Sequence, residues 1–246
     1  MGIKASILLI SYNKNQELPN VFYSISRQKA DFEFEVCFVD DCSYEDPKSI
    51  YDKFLTIPHK KGLRLKQHIG NLGSAHNFKA HKFVNSYGMA YDMTAKESEV
   101  IILQSSDVIW TTDNILQELV TSLSDTSYPV PRVINADVPP NAHEDFENIM
   151  KMFIERQNEY GEYQGKTRDT TVWLTPISRK IAEEIDLRGN TGEYNVTVKL
   201  QNRLKPEYRY DLLGIHQRHS SIPSVEALID ANLINWTDQN PERVIW

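Results

Sequence analysis

The chain has two cysteines in 246 residues, Cys37 inside an apolar run and Cys42 just beyond it. So few thiols exclude a disulfide-stapled scaffold and fit a reducing compartment, and the plainer reading of both is a pair of small buried or half-buried side chains. No apolar run approaches the roughly 18 residues that span a bilayer, and no charged leader with an apolar core and cleavage site opens the sequence, so a cytoplasmic protein is expected. Positive charge is also short: 27 Lys and Arg stand against 34 Asp and Glu, for a net charge of −7. A field of that sign opposes non-specific binding to nucleic acid. The densest basic run, His59 to His68, reads as a loop and strand edge with solvated lysines. There is no internal repeat, no low-complexity segment, and no Cys-x-x-Cys or His-Glu-x-x-His pattern that would argue for zinc. Gly70-Asn-Leu-Gly73 follows the third expected strand rather than the first, so it is not a dinucleotide fingerprint.

What is present is ordinary globular material, 40% hydrophobic and 25% charged, enough for one large or two small cores. The run Ala5 to Ile10 reads as a buried strand ending in Ser11-Tyr-Asn13, and Glu17 to Gln28 carries Leu18, Val21, Phe22 and Ile25 at helical spacing. A second strand over Glu35 to Val39 ends in Asp40-Asp-Cys-Ser43. In an open α/β sheet such strand ends line a ligand crevice, and Asp40 and Asp41 there can accept hydrogen bonds or draw in a metal. A short helix through Ile50 and Phe54 follows. Leu63 to Gln67 is the expected third strand, Ser74 to Tyr91 a long helical stretch, and Glu99 to Leu103 a β-branched fourth strand ending in Gln104-Ser-Ser-Asp107. Asp113 to Leu123 reads as the next helix.

Strands alternating with helices imply right-handed parallel crossovers, hence a nucleotide-binding α/β half. From residue 129 the pattern changes. Pro129, Pro131, Pro139 and Pro140 precede an amphipathic segment, Phe146 to Tyr160, and a polar one, Gly161 to Asp169; the stretch reads as a lid or a surface excursion. Thr171 to Thr175 resembles a strand, Ser178 to Ile185 and Tyr194 to Leu204 helices, and Tyr208 to Ile215 the last strand. Beyond Pro223 come a helix around Val225 to Ala231 and a tail.

Taken in order, these residues resemble a family 2 glycosyltransferase. Ser6 to Asn13 is similar to the family's opening strand and Ser/Thr-Tyr-Asn turn, and Val39-Asp-Asp-Cys-Ser43 to its Val-Asp-Asp-Gly-Ser segment, with Cys42 in place of Gly. Asn71-Leu-Gly73 with Asn77 is similar to its Asn-x-Gly and downstream Asn, with His76 where Arg is common. The resemblance implies the GT-A fold: one mostly parallel sheet with a Rossmann-like nucleotide-sugar half over residues 1–125, an acceptor-side half over 126–222, and a C-terminal helix and tail over 223–246. It implies donor contacts from Ser11, Tyr12, Asn13, Asp40, Asp41, Asn71, Gly73, His76, Asn77 and Ser106.

The family's Asp-x-Asp metal motif is altered here. Either Ser105-Ser-Asp107 keeps its final carboxylate, the preferred register, or Gln104 and Ser106 replace both. In the first case Asp107 binds Mn²⁺ or Mg²⁺ with help from water and the substrate's phosphates. A plain capping role for Asp107 is the alternative. Gly192-Glu-Tyr194, ahead of a helix with Lys199 and Arg203, resembles the family's Gly-Glu-Asp segment, which implies Glu193 as catalytic base; a helix N-terminal acid is its ordinary reading. Ile215-His-Gln-Arg-His219 resembles the family's late His, which implies His216 as a second metal or diphosphate contact, with Arg218 and His219 behind it. Trp110, Tyr160, Tyr163 and Trp173 are candidates for stacking on sugar, although Trp173 in a strand suits a core.

The expected partners are a nucleotide-sugar donor, UDP or dTDP ahead of GDP, and a saccharide or other hydroxyl acceptor. The acidic balance opposes a nucleic-acid acceptor, and a lipid-linked one would place the protein at a membrane surface. The rival to an inverting, metal-assisted transferase is a non-catalytic nucleotide-sugar-binding module, because Gln104, Ser106 and Tyr194 stand where ionisable residues are usual.

Overall fold

The computed structural model describes residues 2–11, 13–40, 43, 47–55, 64–69, 86–164, 173–187 and 193–217. The expected strand at the N-terminus is β1, Ile3–Ser11, followed by helix α1, Leu18–Ser26, strand β2, Glu33–Asp40, and helix α2, Lys48–Leu55. Then come β3, Arg64–Ile69, α3, Ser86–Asp92, and β4, Val100–Ser105. β1, β2, β3 and β4 are parallel neighbours in the order β3-β2-β1-β4. The chain therefore winds outward from β1 through β2 to β3, then returns to β4 on the other side of β1. Strand order reverses between β1 and β4, and the carboxyl ends of those two strands open the crevice that such a reversal creates.

Successive residues of β1 point to opposite faces of the sheet. Ala5, Ile7 and Leu9 join one core with Val36, Phe38 and the apolar face of α1, whereas Leu8 and Ile10 join another with Cys37, Val39 and Tyr87. Burial on both faces explains why the strand reads as a continuous apolar run rather than an alternating one. Cys37 is buried.

The second half departs from the one-sheet expectation. After β5, Val108–Trp110, and α4, Ile115–Thr121, the proline-bearing segment read as a lid or excursion is instead strand β6, Ser127–Ala136. It is followed by α5, Phe146–Glu155, β7, Glu162–Gln164, β8, Leu174–Ser178, α6, Arg179–Glu184, α7, Glu193–Gln201, and β9, Lys205–Gln217. β8 pairs antiparallel with β4 and completes the first sheet, while β5, β9, β6 and β7 form a second sheet in that order. Pro129 and Pro131 lie two residues apart in β6, where β9 is the partner strand; among the described residues β7 pairs farther along, at Val133 and Ile134. Proline is admitted to a strand where its nitrogen owes no ladder bond, which is how β6 keeps both. Gly214, inside β9, sits between Val108 and Val133, whose methyl groups would lie 3.3 Å from any added Cβ.

Other expected boundaries shift modestly. Ser178 caps α6 by accepting from the Ile181 amide at 3.2 Å, and β9 runs three residues earlier and two later than the expected Tyr208 to Ile215. Among the described residues no helix is long and apolar enough to cross a membrane.

Candidate functional site

Local chemistry sets each wall of the crevice. Asn13 turns the chain after β1 with φ 52°, a left-handed conformation that Asn tolerates better than most residues. The carbonyl of Lys14, next in sequence, accepts from the amides of Glu17 and Leu18 at 3.0 and 2.9 Å. That turn sets Lys14 at the mouth of α1, beside the crevice. At the neighbouring strand end, Asp40 is 1% exposed, and its two oxygens accept from the amide and hydroxyl of Ser43 at 2.9 and 2.6 Å. The Ser43 hydroxyl oxygen in turn accepts from the Asn13 amide at 2.7 Å. Asp40 thus ties the turns after β1 and β2 together. Ser11, at the end of β1, has a buried hydroxyl with no hydrogen-bond partner among the described residues.

Across the strand-order reversal, β4 ends in a tight turn into β5. The Gln104 side chain donates to the carbonyls of Ser105 and Val108 at 2.9 and 2.8 Å and accepts from the Trp110 indole at 2.6 Å. Gln104 is therefore buried scaffolding, Ser106 is buried within the turn, and Asp107 is the carboxylate delivered to the crevice. Its Oδ2 lies 3.0 Å from the Lys14 ammonium, with both side chains under a tenth exposed. Its Oδ1 accepts from the Ser105 hydroxyl at 2.8 Å.

His216 was expected just beyond the last strand; it lies within β9 instead, paired with Val108 on one side and Asn135 on the other. Pairing on both sides extends the ladder to Gln217, whose amide donates to the Asp107 carbonyl at 2.8 Å. The imidazole stacks on Trp173, with centroids 4.6 Å apart and planes 12° from parallel. Its Nδ1 faces Asn135 Oδ1 at 2.9 Å, and its Nε2 faces Asp107 Oδ2 at 3.5 Å. With Asn135 Oδ1 as acceptor, Nδ1 carries the proton and Nε2 presents a lone pair toward Asp107.

Burial works against charge on Asp107, yet the Lys14 ammonium outweighs it, helped by the Ser105 hydroxyl and by His216 when protonated, and holds the carboxyl well below its usual range. Nearby Glu17 goes the other way: burial pushes its carboxyl up, and Lys14 offsets only part of that. The crevice therefore contains one firmly ionised carboxylate among groups of opposite and adjustable charge.

The donor set can be tested against a divalent cation. Asp107 Oδ2 and His216 Nε2 face each other at 3.5 Å, a long ion pair when the imidazole is protonated and, with Nε2 unprotonated, two donors jointly suited to a cation. Among the described residues no cluster of three or more His, Cys, Asp or Glu surrounds them. Two protein donors fit Mg²⁺ or Mn²⁺ bound largely through phosphate and water oxygens.

Tyr12, Asp41, Asn71, Gly73, His76, Asn77, Arg218 and His219 lie outside the described residues, as does the segment 218–246. Glu193 is the first residue of α7. Lys199 donates to the Ile185 carbonyl at 2.8 Å, holding α7 to the end of α6. The sugar-stacking expectation changes: Trp110 and Trp173 are buried, and Tyr160 packs on Phe153 with centroids 5.3 Å apart. Sequence reasoning missed Lys14, Glu17 and Asn135 at the site. Lys14 directly follows the Ser-Tyr-Asn turn, but a lone lysine in a polar turn reads as solvated.

A family model described as Glycosyl transferase family 2 matches residues 6–186. No curated protein matches the chain. Among solved structures, S. aureus TarS is 17% identical with a TM-score of 0.53, over 88% of this chain and 37% of that one. A structure of S. aureus TarS 1–349 in complex with UDP-GlcNAc is 17% identical with a TM-score of 0.51, over 94% and 65%. The mannosyltransferase PcManGT from Pyrobaculum calidifontis, in complex with GDP-Man and Mn²⁺, is 14% identical with a TM-score of 0.54, over 98% and 67%. The chain thus spans less than two thirds of the length of either TarS structure. At these identities the likeness establishes a shared fold, the GT-A arrangement of a mainly parallel α/β sheet.

Proposed function

Because the chain belongs to glycosyl transferase family 2, we propose that it moves a sugar from a nucleoside-diphosphate donor to an acceptor hydroxyl with inversion. The observation that carries this reading is the convergence of Lys14, Asp107 and His216 at the strand-order reversal between β1 and β4. A transferred sugar leaves behind a diphosphate, so the largest electrostatic demand in the reaction is at its departing oxygen. Asp107 and His216 would hold a divalent cation there, Mn²⁺ or Mg²⁺, which when bound neutralises the leaving diphosphate.

The remaining roles follow from position. Ser11, whose buried hydroxyl has no hydrogen-bond partner among the described residues, is assigned to the nucleoside together with Tyr12, Asn13 and Asp41. Asp40 supports that contact by holding the Asn13 turn through Ser43. Asn71, Gly73, His76, Asn77 and Ser106 stay assigned to the donor. Glu193 takes the proton from the acceptor hydroxyl as its oxygen attacks the anomeric carbon, while the bond from that carbon to the diphosphate oxygen breaks on the opposite face. UDP and dTDP sugars are the first donors to try, with GDP sugars next. A saccharide is the first acceptor, since the net charge of −7 disfavours a nucleic acid. We assign residues 1–125 to donor binding and 126–222 to the acceptor side, and place the activity in the cytoplasm.

The test is release of nucleoside diphosphate from UDP, dTDP and GDP sugars in Mn²⁺, with a panel of saccharide acceptors. Turnover that falls by about 10²-fold or more in Glu193→Ala, with donor binding retained, supports the assignment. Donor binding without release from any sugar nucleotide replaces it with a nucleotide-sugar-binding module.

A further inference from the structure

The oxygen of Asp107 that faces His216 is already engaged by a cation belonging to the chain. Oδ2 lies 3.0 Å from Lys14 Nζ and 3.5 Å from His216 Nε2, and all three side chains are almost fully buried. An ammonium at that oxygen and a divalent cation on the same oxygen repel each other, and little water is present to screen them. Lys14 cannot simply be hydrated elsewhere, because leaving a buried ammonium without a partner costs roughly as much as breaking a buried ion pair. A second anion arriving beside Lys14 lets it give up Asp107 without that cost. A nucleoside diphosphate entering at the mouth of α1 supplies such an anion.

We propose that Lys14 is the resident counter-ion of Asp107 and couples cation uptake to the donor's diphosphate. Without nucleotide, Lys14 occupies the carboxylate and keeps affinity for free divalent cation low. With nucleotide, the diphosphate takes over Lys14, and Asp107 and His216 become a vacant two-donor seat. Cation and diphosphate then bind with positive coupling, and by linkage each raises the affinity of the other by the same factor. The order of binding and the suppression of idle metal uptake are thus properties of one side chain. This inference rests on the assignment of Asp107 and His216 to a divalent cation.

The experiment is Mn²⁺ binding to the full chain, read from the electron paramagnetic resonance signal of free Mn²⁺, without nucleotide and with saturating UDP or GDP. Wild-type protein is expected to bind Mn²⁺ weakly alone and at least about tenfold more tightly with diphosphate, within the usual range of such couplings. Lys14→Met is expected to bind Mn²⁺ alone at least about tenfold more tightly than wild type and to gain less from nucleotide. Lys14→Arg, which keeps the charge, is expected to retain wild-type coupling. Lys14→Met leaves Asp107 without its ammonium, so its folding is followed in parallel: Mn²⁺ alone should raise its melting temperature more than it raises that of wild type. Equal Mn²⁺ affinity and equal Mn²⁺-induced melting shift in wild type and Lys14→Met, with wild type still binding Mn²⁺ in the presence of diphosphate, overturns the coupling and leaves the cation seat standing. No Mn²⁺ uptake by wild type with any diphosphate overturns the seat and the coupling together.

Discussion

The Lys14 and Asp107 pair gives the most direct quantitative handle on the site. At an effective dielectric of about 20, unit charges 3.0 Å apart attract by about 5.5 kcal/mol. That gross attraction is offset by the desolvation of both groups, so the net contribution of the pair is small or even unfavourable relative to an apolar pair. Removing one partner is a different perturbation. Asp107→Asn keeps the shape and leaves the Lys14 ammonium buried without its counter-charge, which costs about 3–5 kcal/mol. For a chain of 246 residues that corresponds to a fall in Tm on the order of 10 °C. The assay is urea unfolding of wild type, Asp107→Asn, Lys14→Met and the double variant, without nucleotide or metal. The double variant should be more stable than Asp107→Asn, with a coupling energy of about 2 kcal/mol or more. Additive single effects, or a loss under about 1 kcal/mol for Asp107→Asn, would show that the two charges do not depend on each other in the fold.

The same pair sets an acid limb. Asp107 has its folded pKa depressed, so the stability it contributes is present above its unfolded value of about 3.9 and is lost as pH falls below that. Stability of the wild type should drop more steeply than that of Asp107→Asn as pH is lowered from about 4, and parallel acid curves would contradict the assignment. Gly214→Val should destabilise the second sheet by about 1–3 kcal/mol, because the added Cβ meets methyls of Val108 and Val133 at 3.3 Å. Because β9 carries His216, the same variant should weaken Mn²⁺ binding with diphosphate; unchanged stability on urea unfolding would refute the packing argument.

The first half of the fold was legible because its signals are local. An apolar run bounded by Ser11 and Asn13, and another bounded by Asp40, announce strands buried on two faces that end at a crevice. Helical spacing in α1 is likewise short-range. The second sheet was not legible, because Pro129 and Pro131 argue against a strand wherever the position of the partner is unknown. Their tolerance depends on β9 pairing along the whole of β6 while β7, among the described residues, joins it at Val133 and Ile134, beyond both prolines, a fact of register. The altered Asp-x-Asp region was ambiguous for a related reason. Choosing between Gln104 and Asp107 requires knowing which side chain turns inward to bond Trp110 and which faces the crevice.

By itself the sequence determined the class of fold, the order of its parallel elements and the strand ends at which chemistry belongs, because hydrophobic period and turn residues act over a few positions. Only the tertiary structure decided that Asp40 braces a turn, that Trp173 lies against His216, and that Lys14 and His216 share one oxygen of Asp107. Those relations join residues far apart in the chain through strand pairing and the reversal between β1 and β4. Their energies depend on burial, which removes water from the charges and makes each charge's partner matter.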